Sequence, residues 1–176
     1  MKLEDSKNFA EVVGTVLHIY IYGDFDNSIT QHVVPAIVRS TFKSIIIHIN
    51  SDGGDVSVLN TLLCALTTTG VMVTTIVEGV AGSCGSLLAI MGHSRLMYRD
   101  AFHWIHWGSW CLEATGPKDV QRVCLAMQET FAQVSRRYQE RCGFDPEKLH
   151  ALLDDNCTIM FSAECLENGM CDKIIG

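Results

Sequence analysis

The 176-residue chain is short of basic residues, of proline and of long apolar runs. Lys and Arg number 13 against 20 Asp and Glu, a formal net charge of −7. Phosphate binding needs clustered Lys and Arg, so this balance argues against nucleic acid as the main partner. Only three prolines occur, and low-complexity stretches are scarce, which argues against disorder. No segment reaches the roughly 18 consecutive apolar residues of a membrane helix, so no membrane partner is expected. The opening MKLEDSKNFAEVV carries acids early and lacks the apolar stretch of a secretory signal. The expectation is a cytoplasmic chain. No CxxC pair occurs among the eight cysteines, and Cys165 and Cys171 do not have zinc-knuckle spacing. Reduced thiols and no metal site are therefore expected. Cys64, Cys84 and Cys124 fall in apolar helical patterns, where a free thiol packs as a small hydrophobe.

What is present is apolar substance: 48% of the residues are hydrophobic, enough for one well-buried core. No stretch reads as a linker, so residues 1–176 are expected to form a single domain. "VLHIYIYG" alternates and is rich in β-branched and aromatic residues, which predicts a strand. "NSITQHVVPAIVRST" reads as a helix capped by Ser28, starting late or kinked at Pro35. "SIIIHIN" and "VMVTTIVEG" are nearly continuous apolar strands, of the kind buried on both faces of a parallel sheet. Between them, "VSVLNTLLCALTTTG" is an amphipathic helix ended by Gly70. A helix is predicted from about Cys84 to Met91, then short strands in "SRLMYRD" and "AFHWIHW", then a long helix from Lys118 to Cys142. A short helix follows with Asp145 as cap and Pro146 in its first turn. A second is capped by Ser162, and "CDKIIG" is a last strand. The recurring strand–turn–helix order means an α/β fold with mostly parallel strands. In such sheets ligands gather at the carboxyl ends of strands. Two small-residue turns fall there: "NSDGGD" and "EGVAGSCG".

Acyl transfer needs a serine on a tight turn, a histidine to take its proton, a third group to orient that histidine, and N–H donors for the oxyanion. Ser83 follows Ala81 and Gly82 and precedes an apolar helix. Read alone, it is better explained as a helix N-cap. Ser86, nearly one turn on, reads as a small packing residue. Cys84 is a rival nucleophile, but its side chain should point about 100° away around the helix, toward Leu88. Gly53 and Gly54 let backbone N–H groups approach a substrate unobstructed, or simply make a turn. In "FHWIHW" a strand places His103 and His106 on opposite faces, so at most one enters a site. His18, His32, His48, His93 and His150 read as structural or surface residues.

Together these pieces resemble the Clp protease proteolytic subunit (ClpP) family, within the ClpP/crotonase-like fold. That family has a strand and "INSPGG", a helix and strand, then "GxAxSxG", then "MIH". This chain has "INSDGGD" at Ile49–Asp55, "GVAGSCG" at Gly79–Gly85 and "WIHWG" at Trp104–Gly108, in the same order. "FSAECLENGMCDKI" is similar to the family's closing segment. The resemblance runs from about Ile19 to Ile174. It implies a superhelix of β-α-β units with a protruding long helix, the handle. It also implies a serine endopeptidase with Ser83 as nucleophile, His106 as general base, and the amides of Gly54 and Cys84 as the oxyanion hole. Cys84 then contributes its N–H and not its thiol. The family's third residue is an aspartate; in "LLDDNCTIMFSAE" Asn156 falls nearest, with Asp154 and Asp155 just before and Thr158 more remote. No metal or organic cofactor is implied. The implied partners are polypeptide substrates, other copies in a heptameric or tetradecameric ring, and an ATPase unfoldase, although the segment before the first predicted strand is shorter than the family's.

Two departures alter the surroundings of the site. Asp52 replaces the family's proline beside the oxyanion hole, and "WIHWGSW" makes the wall beside His106 more aromatic. Three rivals fit parts of the same pattern: an inactive ClpP-like ring subunit, a processing protease of the viral capsid-maturation type, and a crotonase-fold acyl-CoA enzyme. The last would leave the Ser–His pairing idle, and no basic cluster suits the CoA phosphates.

Overall fold

The computed structural model describes residues 7–106, 108, 116–154 and 157–176. Its centre is an eight-stranded sheet. Strands β1 (Asn8–Val13) and β2 (Val16–Ile21) form an antiparallel hairpin. From β2 the sheet continues in parallel through β3 (Ser44–Ser51), β4 (Met72–Gly82), β5 (Ser94–Tyr98) and β8 (Lys173–Ile175). The carboxyl end of β4 outruns β5 and pairs instead with β6 (Phe102–Ile105), with Val80 opposite Phe102 and Gly82 opposite Trp104. β7 (Thr158–Phe161) lies antiparallel on β6.

The register collects the core on one face. Leu17, Ile19 and Ile21 of β2 stand beside Ile45, Ile47 and Ile49 of β3, all fully buried. A side chain of this size is worth about 2 kcal/mol when buried, so a one-residue slip, which turns all six outward, is strongly disfavoured. Helices α2 (Val56–Thr69) and α3 (Cys84–Ile90) add Leu59, Leu62 and Leu88 to this core. α2 is set by Asp55, whose carboxylate accepts the Ser57 N–H at 2.6 Å, which holds the Asp55 carboxyl below its usual range.

The opposite sheet face differs from expectation. β3 and β4 are buried on one face only, with alternate residues half covered. That second face carries a polar–aromatic layer, not helices. His18 Nδ1 lies 3.1 Å from His48 Nε2, and His48 Nδ1 lies 2.7 Å from Glu78 Oε1. Tyr22 donates to the other Glu78 oxygen, and Tyr20 stacks on His48. His48 and Glu78 interrupt otherwise apolar runs because their positions in the period-2 pattern face this layer.

Other local expectations are also corrected. Ser28 is no cap: it is already helical, with its N–H and hydroxyl both on Asp26 Oδ1, and a π-helical turn Ile29–Val33 runs into α1 (Val34–Arg39). Ser162 is the first residue of α6 (Ser162–Glu167), and its hydroxyl donates to the Arg99 carbonyl at 2.6 Å. β1 and β7 are strands that the pattern did not announce; β1 is an exposed edge without clean alternation, and β7 has four residues. Asp145 does cap α5 (Pro146–Asp154), accepting the Lys148 N–H at 2.7 Å. The described cysteines are free thiols, but Cys64 and Cys124 are exposed instead of packed.

The long helix α4 (Pro117–Cys142) spans about 39 Å. Tyr138 is its one fully buried side chain among the described residues. Phe131 and Val134 on one face of the helix are half covered, Val120 and Met127 further along that face emerge into solvent, and Leu125 is exposed on another face. No helix among the described residues is long and apolar enough to cross a membrane.

Candidate active site

The parallel pairing of β3, β4 and β6 brings three carboxyl ends to one edge of the sheet. The turn after β4 holds Ser83 at φ 49°, ψ −113°, the one non-glycine residue with positive φ among those described. Such a conformation costs of order 1–3 kcal/mol and persists only where the surroundings impose it. Here β6 imposes it, because the Ser83 N–H donates to the Trp104 carbonyl at 2.8 Å. The Ser83 side chain does not cap α3. The N-cap account that suits the sequence alone therefore fails, and Ser83 lines the cleft.

The turn after β3 presses against this elbow. Gly53 has φ 111°, and a Cβ there would stand 2.6 Å from Ser83 Cβ and 3.1 Å from Cys84 N. Gly54 has φ 140°, and its Cβ would meet the Phe25 backbone N at 2.7 Å. Both positions exclude side chains, because two backbones pass within contact distance of each other. Phe25 donates to Gly53 O at 2.7 Å, and Asp55 donates to Phe25 O at 2.9 Å. In a trans peptide the Gly54 N–H points opposite to the Gly53 carbonyl, away from Phe25. Gly54 lines the cleft on that side. Among the described residues, neither the Gly54 N–H nor the Cys84 N–H meets an acceptor.

The thiol of Cys84 is turned inward, 1% exposed, and donates to the Gly54 carbonyl at 3.1 Å. Burial pushes its pKa up to about 11. At pH 7 only about one such thiol in ten thousand is ionised, too few for a thiolate nucleophile. The bond also ties the first residue of α3 to the glycine turn.

His106 follows β6 and is half exposed, with its ring stacked on Trp104 at 5.1 Å. It lines the same cleft as Ser83, Cys84 and Gly54. His103 lies on the other side of the strand, fully buried, as the alternation requires. The cleft holds about 1280 Å³. Its apolar lining includes Leu87, Trp104, Phe131 and Val134, and its polar lining includes Asp24, Asp52 and Asp55, with no Lys or Arg among the described lining residues.

Of the residues proposed to orient His106, Asp155 and Asn156 lie outside the described residues. Asp154 ends α5. Thr158 opens β7 opposite Ile105, with its hydroxyl on the Leu152 carbonyl at 2.8 Å. Thr158 thus lies beside the end of β6, the strand that His106 follows. Among the described residues, no group of three His, Cys, Asp or Glu side chains could hold a metal ion.

Sequence reasoning set aside one group that the fold brings close behind the turn. Ser86 Oγ lies 2.8 Å from His103 Nδ1 and 2.8 Å from the Tyr138 hydroxyl, and all three residues are buried. The only signal for it was negative: a serine inside an apolar helix and a histidine on the buried side of a strand.

Compared with the curated proteins one by one, the chain has no match. Compared with protein families, it matches Clp protease across residues 4–176, nearly its whole length and including both turns and β6. An α/β sheet whose neighbouring parallel strands deliver a glycine pair, a strained serine and a histidine to one cleft agrees with that match, and the chain belongs to the Clp protease family.

Proposed function

We propose that this ClpP-like peptidase is a serine endopeptidase acting through Ser83 and His106. One observation carries the reading: Ser83 is held at a strained positive φ with its side chain released from helix capping, in the cleft it shares with His106 and Gly54. In the proposed reaction neutral His106 takes the Ser83 proton as Oγ attacks a peptide carbonyl. The resulting oxyanion is met by the N–H groups of Gly54 and Cys84. His106 then returns its proton to the leaving amine, and the acyl-enzyme is hydrolysed by water with His106 again as base. Each oxyanion donor is worth about 3 kcal/mol to the transition state. Asn156 is the first choice for the group that orients His106, with Asp155 and Asp154 as alternatives.

The proposal extends to assembly. On α4, Val120 and Met127 are exposed two turns apart on one face, Met127 on the wall of the cleft, and burying them against other copies of the chain would close a ring chamber around the site. An ATPase unfoldase is the partner the family resemblance implies, and the compartment in this reading is the cytoplasm. A fluorophosphonate probe tests the chemistry directly. Wild type and Asn156→Ala are expected to label, the latter more slowly, while Ser83→Ala and His106→Ala do not. A folded wild-type assembly that does not label, or a Ser83→Ala variant that still does, overturns the reading. Native mass spectrometry tests the ring.

A further inference from the structure

Beside the cleft, Ser86, His103 and Tyr138 join three elements through one buried hydroxyl. Ser86 is on α3, the helix that opens at Ser83. His103 is on β6, the strand that leads to His106. Tyr138 is on α4, the long helix. The Ser86 hydroxyl bridges the other two, 2.8 Å from each. Ser86 and His103 are sealed from solvent at 0% exposure, and Tyr138, which is among the residues lining the cleft, is 2% exposed.

Their bonds act on the first turn of α3 from both sides of β6. The Trp104 carbonyl holds the Ser83 N–H, while the ring of the preceding residue, His103, holds Ser86 three residues further on. Two attachments one helical turn apart fix both the position and the rotation of that turn relative to β6. Tyr138 adds a third point and stacks on Phe144 at 5.9 Å, which anchors it in turn. Transfer of a proton from Ser83 to His106 requires the two groups within about 3 Å, a tolerance that one loose turn would exceed.

Packing alone does not explain this group. His103 Nε2 meets no partner among the described residues. An apolar residue at the same strand position would leave no buried nitrogen unpaired. Burial keeps the ring neutral, with its pKa lowered to about 3, so its role is that of a hydrogen-bonding strut and not of a charge.

We propose that Ser86, His103 and Tyr138 are positioning residues that hold the Ser83 turn in register with His106, an inference that rests on the serine-peptidase reading. The test compares full-length Ser86→Ala, Tyr138→Phe and a control, Ser162→Ala. The control removes a buried hydroxyl from a backbone carbonyl, that of Arg99, away from the cleft. Each is assayed for melting temperature, fluorophosphonate labelling, and kcat and KM on a fluorogenic peptide. Ser86→Ala is expected to lower kcat at least about ten-fold, with KM within about two-fold of wild type. Tyr138→Phe should move kcat the same way by less, and Ser162→Ala should lower the melting temperature without moving kcat. Should Ser86→Ala not fold, Tyr138→Phe decides, since it keeps the ring and removes one oxygen. Unchanged kcat in the positioning variants, or an equal loss in Ser162→Ala, overturns the proposal while the labelled wild type leaves the peptidase reading standing. A wild type that does not label overturns both.

Discussion

Replacing Gly53 by alanine is the sharpest single perturbation of the site. The new Cβ would stand 2.6 Å from Ser83 Cβ and 2.9 Å from the Gly82 carbonyl. Carbon atoms sit at about 3.5–4.0 Å in ordinary contact, so roughly 1 Å must be absorbed between the two turns. Neither turn yields easily: Gly53 is held by Phe25 through its carbonyl and by Ser51 Oγ through its N–H, and Ser83 by Trp104. Alanine at φ 111° adds backbone strain of about 1–3 kcal/mol. Displacing a reacting group by about 1 Å costs on the order of a hundred-fold in rate, so fluorophosphonate labelling of Gly53→Ala should fall by about that factor. Gly70→Ala is the matched control. Gly70 has a positive φ of 65° but nothing within 4 Å of its added Cβ. It should lose about 1–2 kcal/mol of stability and keep its labelling rate. The measurement is the second-order labelling rate by intact mass, at a temperature where both variants are folded by circular dichroism. A folded Gly53→Ala that labels within about two-fold of wild type would refute the claim that the two turns are in contact at the nucleophile.

Ser83→Gly removes the strained side chain, and should raise unfolding free energy by about 1–3 kcal/mol in urea titrations while abolishing labelling; a variant no more stable than wild type argues against the elbow conformation. His103 titrates near 6.5 when unfolded but only at about 3 when folded. Between those values the unfolded chain binds the extra proton, so stability falls as pH drops from 6.5 toward 3, by up to about 1.4 kcal/mol per unit. His103→Gln should flatten that part of the slope in urea titrations at successive pH values, and an unchanged slope counts against a buried neutral His103. Asp24, Asp52 and Asp55 line the cleft, with no Lys or Arg among its described lining residues, and the nearby Arg137 is turned to Asn60. Peptides bearing Lys or Arg beside the scissile bond should show lower KM than their Glu counterparts, with the gap narrowing from about 0.05 M to about 0.5 M salt and in Asp52→Asn. Equal KM values at low salt would remove any role for these carboxylates in selection.

Much of this architecture can be read from residues because it is local. Alternating Leu17, Ile19 and Ile21 in β2, Asp145 before Pro146, and Gly70 after α2 each settle their own few residues. Sequence and structure diverge where a serine has two possible partners. Ser28 and Ser162 look like caps, but Asp26 and the Arg99 carbonyl are nearer in space. β1 and β7 escaped notice because an exposed edge and a four-residue strand owe their existence to the neighbour they pair with. The second sheet face was misjudged because isoleucine at a half-covered position looks the same in sequence as isoleucine in the core.

The order of the elements other than β1 and β7, and the placing of His103 and His106 on opposite sides of β6, follow from the sequence by itself, since period and side-chain size are local properties. That Gly53 touches Ser83 thirty residues away, that Cys84 spends its thiol on Gly54, and that Ser86 finds His103 and Tyr138 were decided only by the tertiary structure. The physical reason is the parallel pairing of β3, β4 and β6, which brings distant turns to one edge and leaves room there for backbone alone.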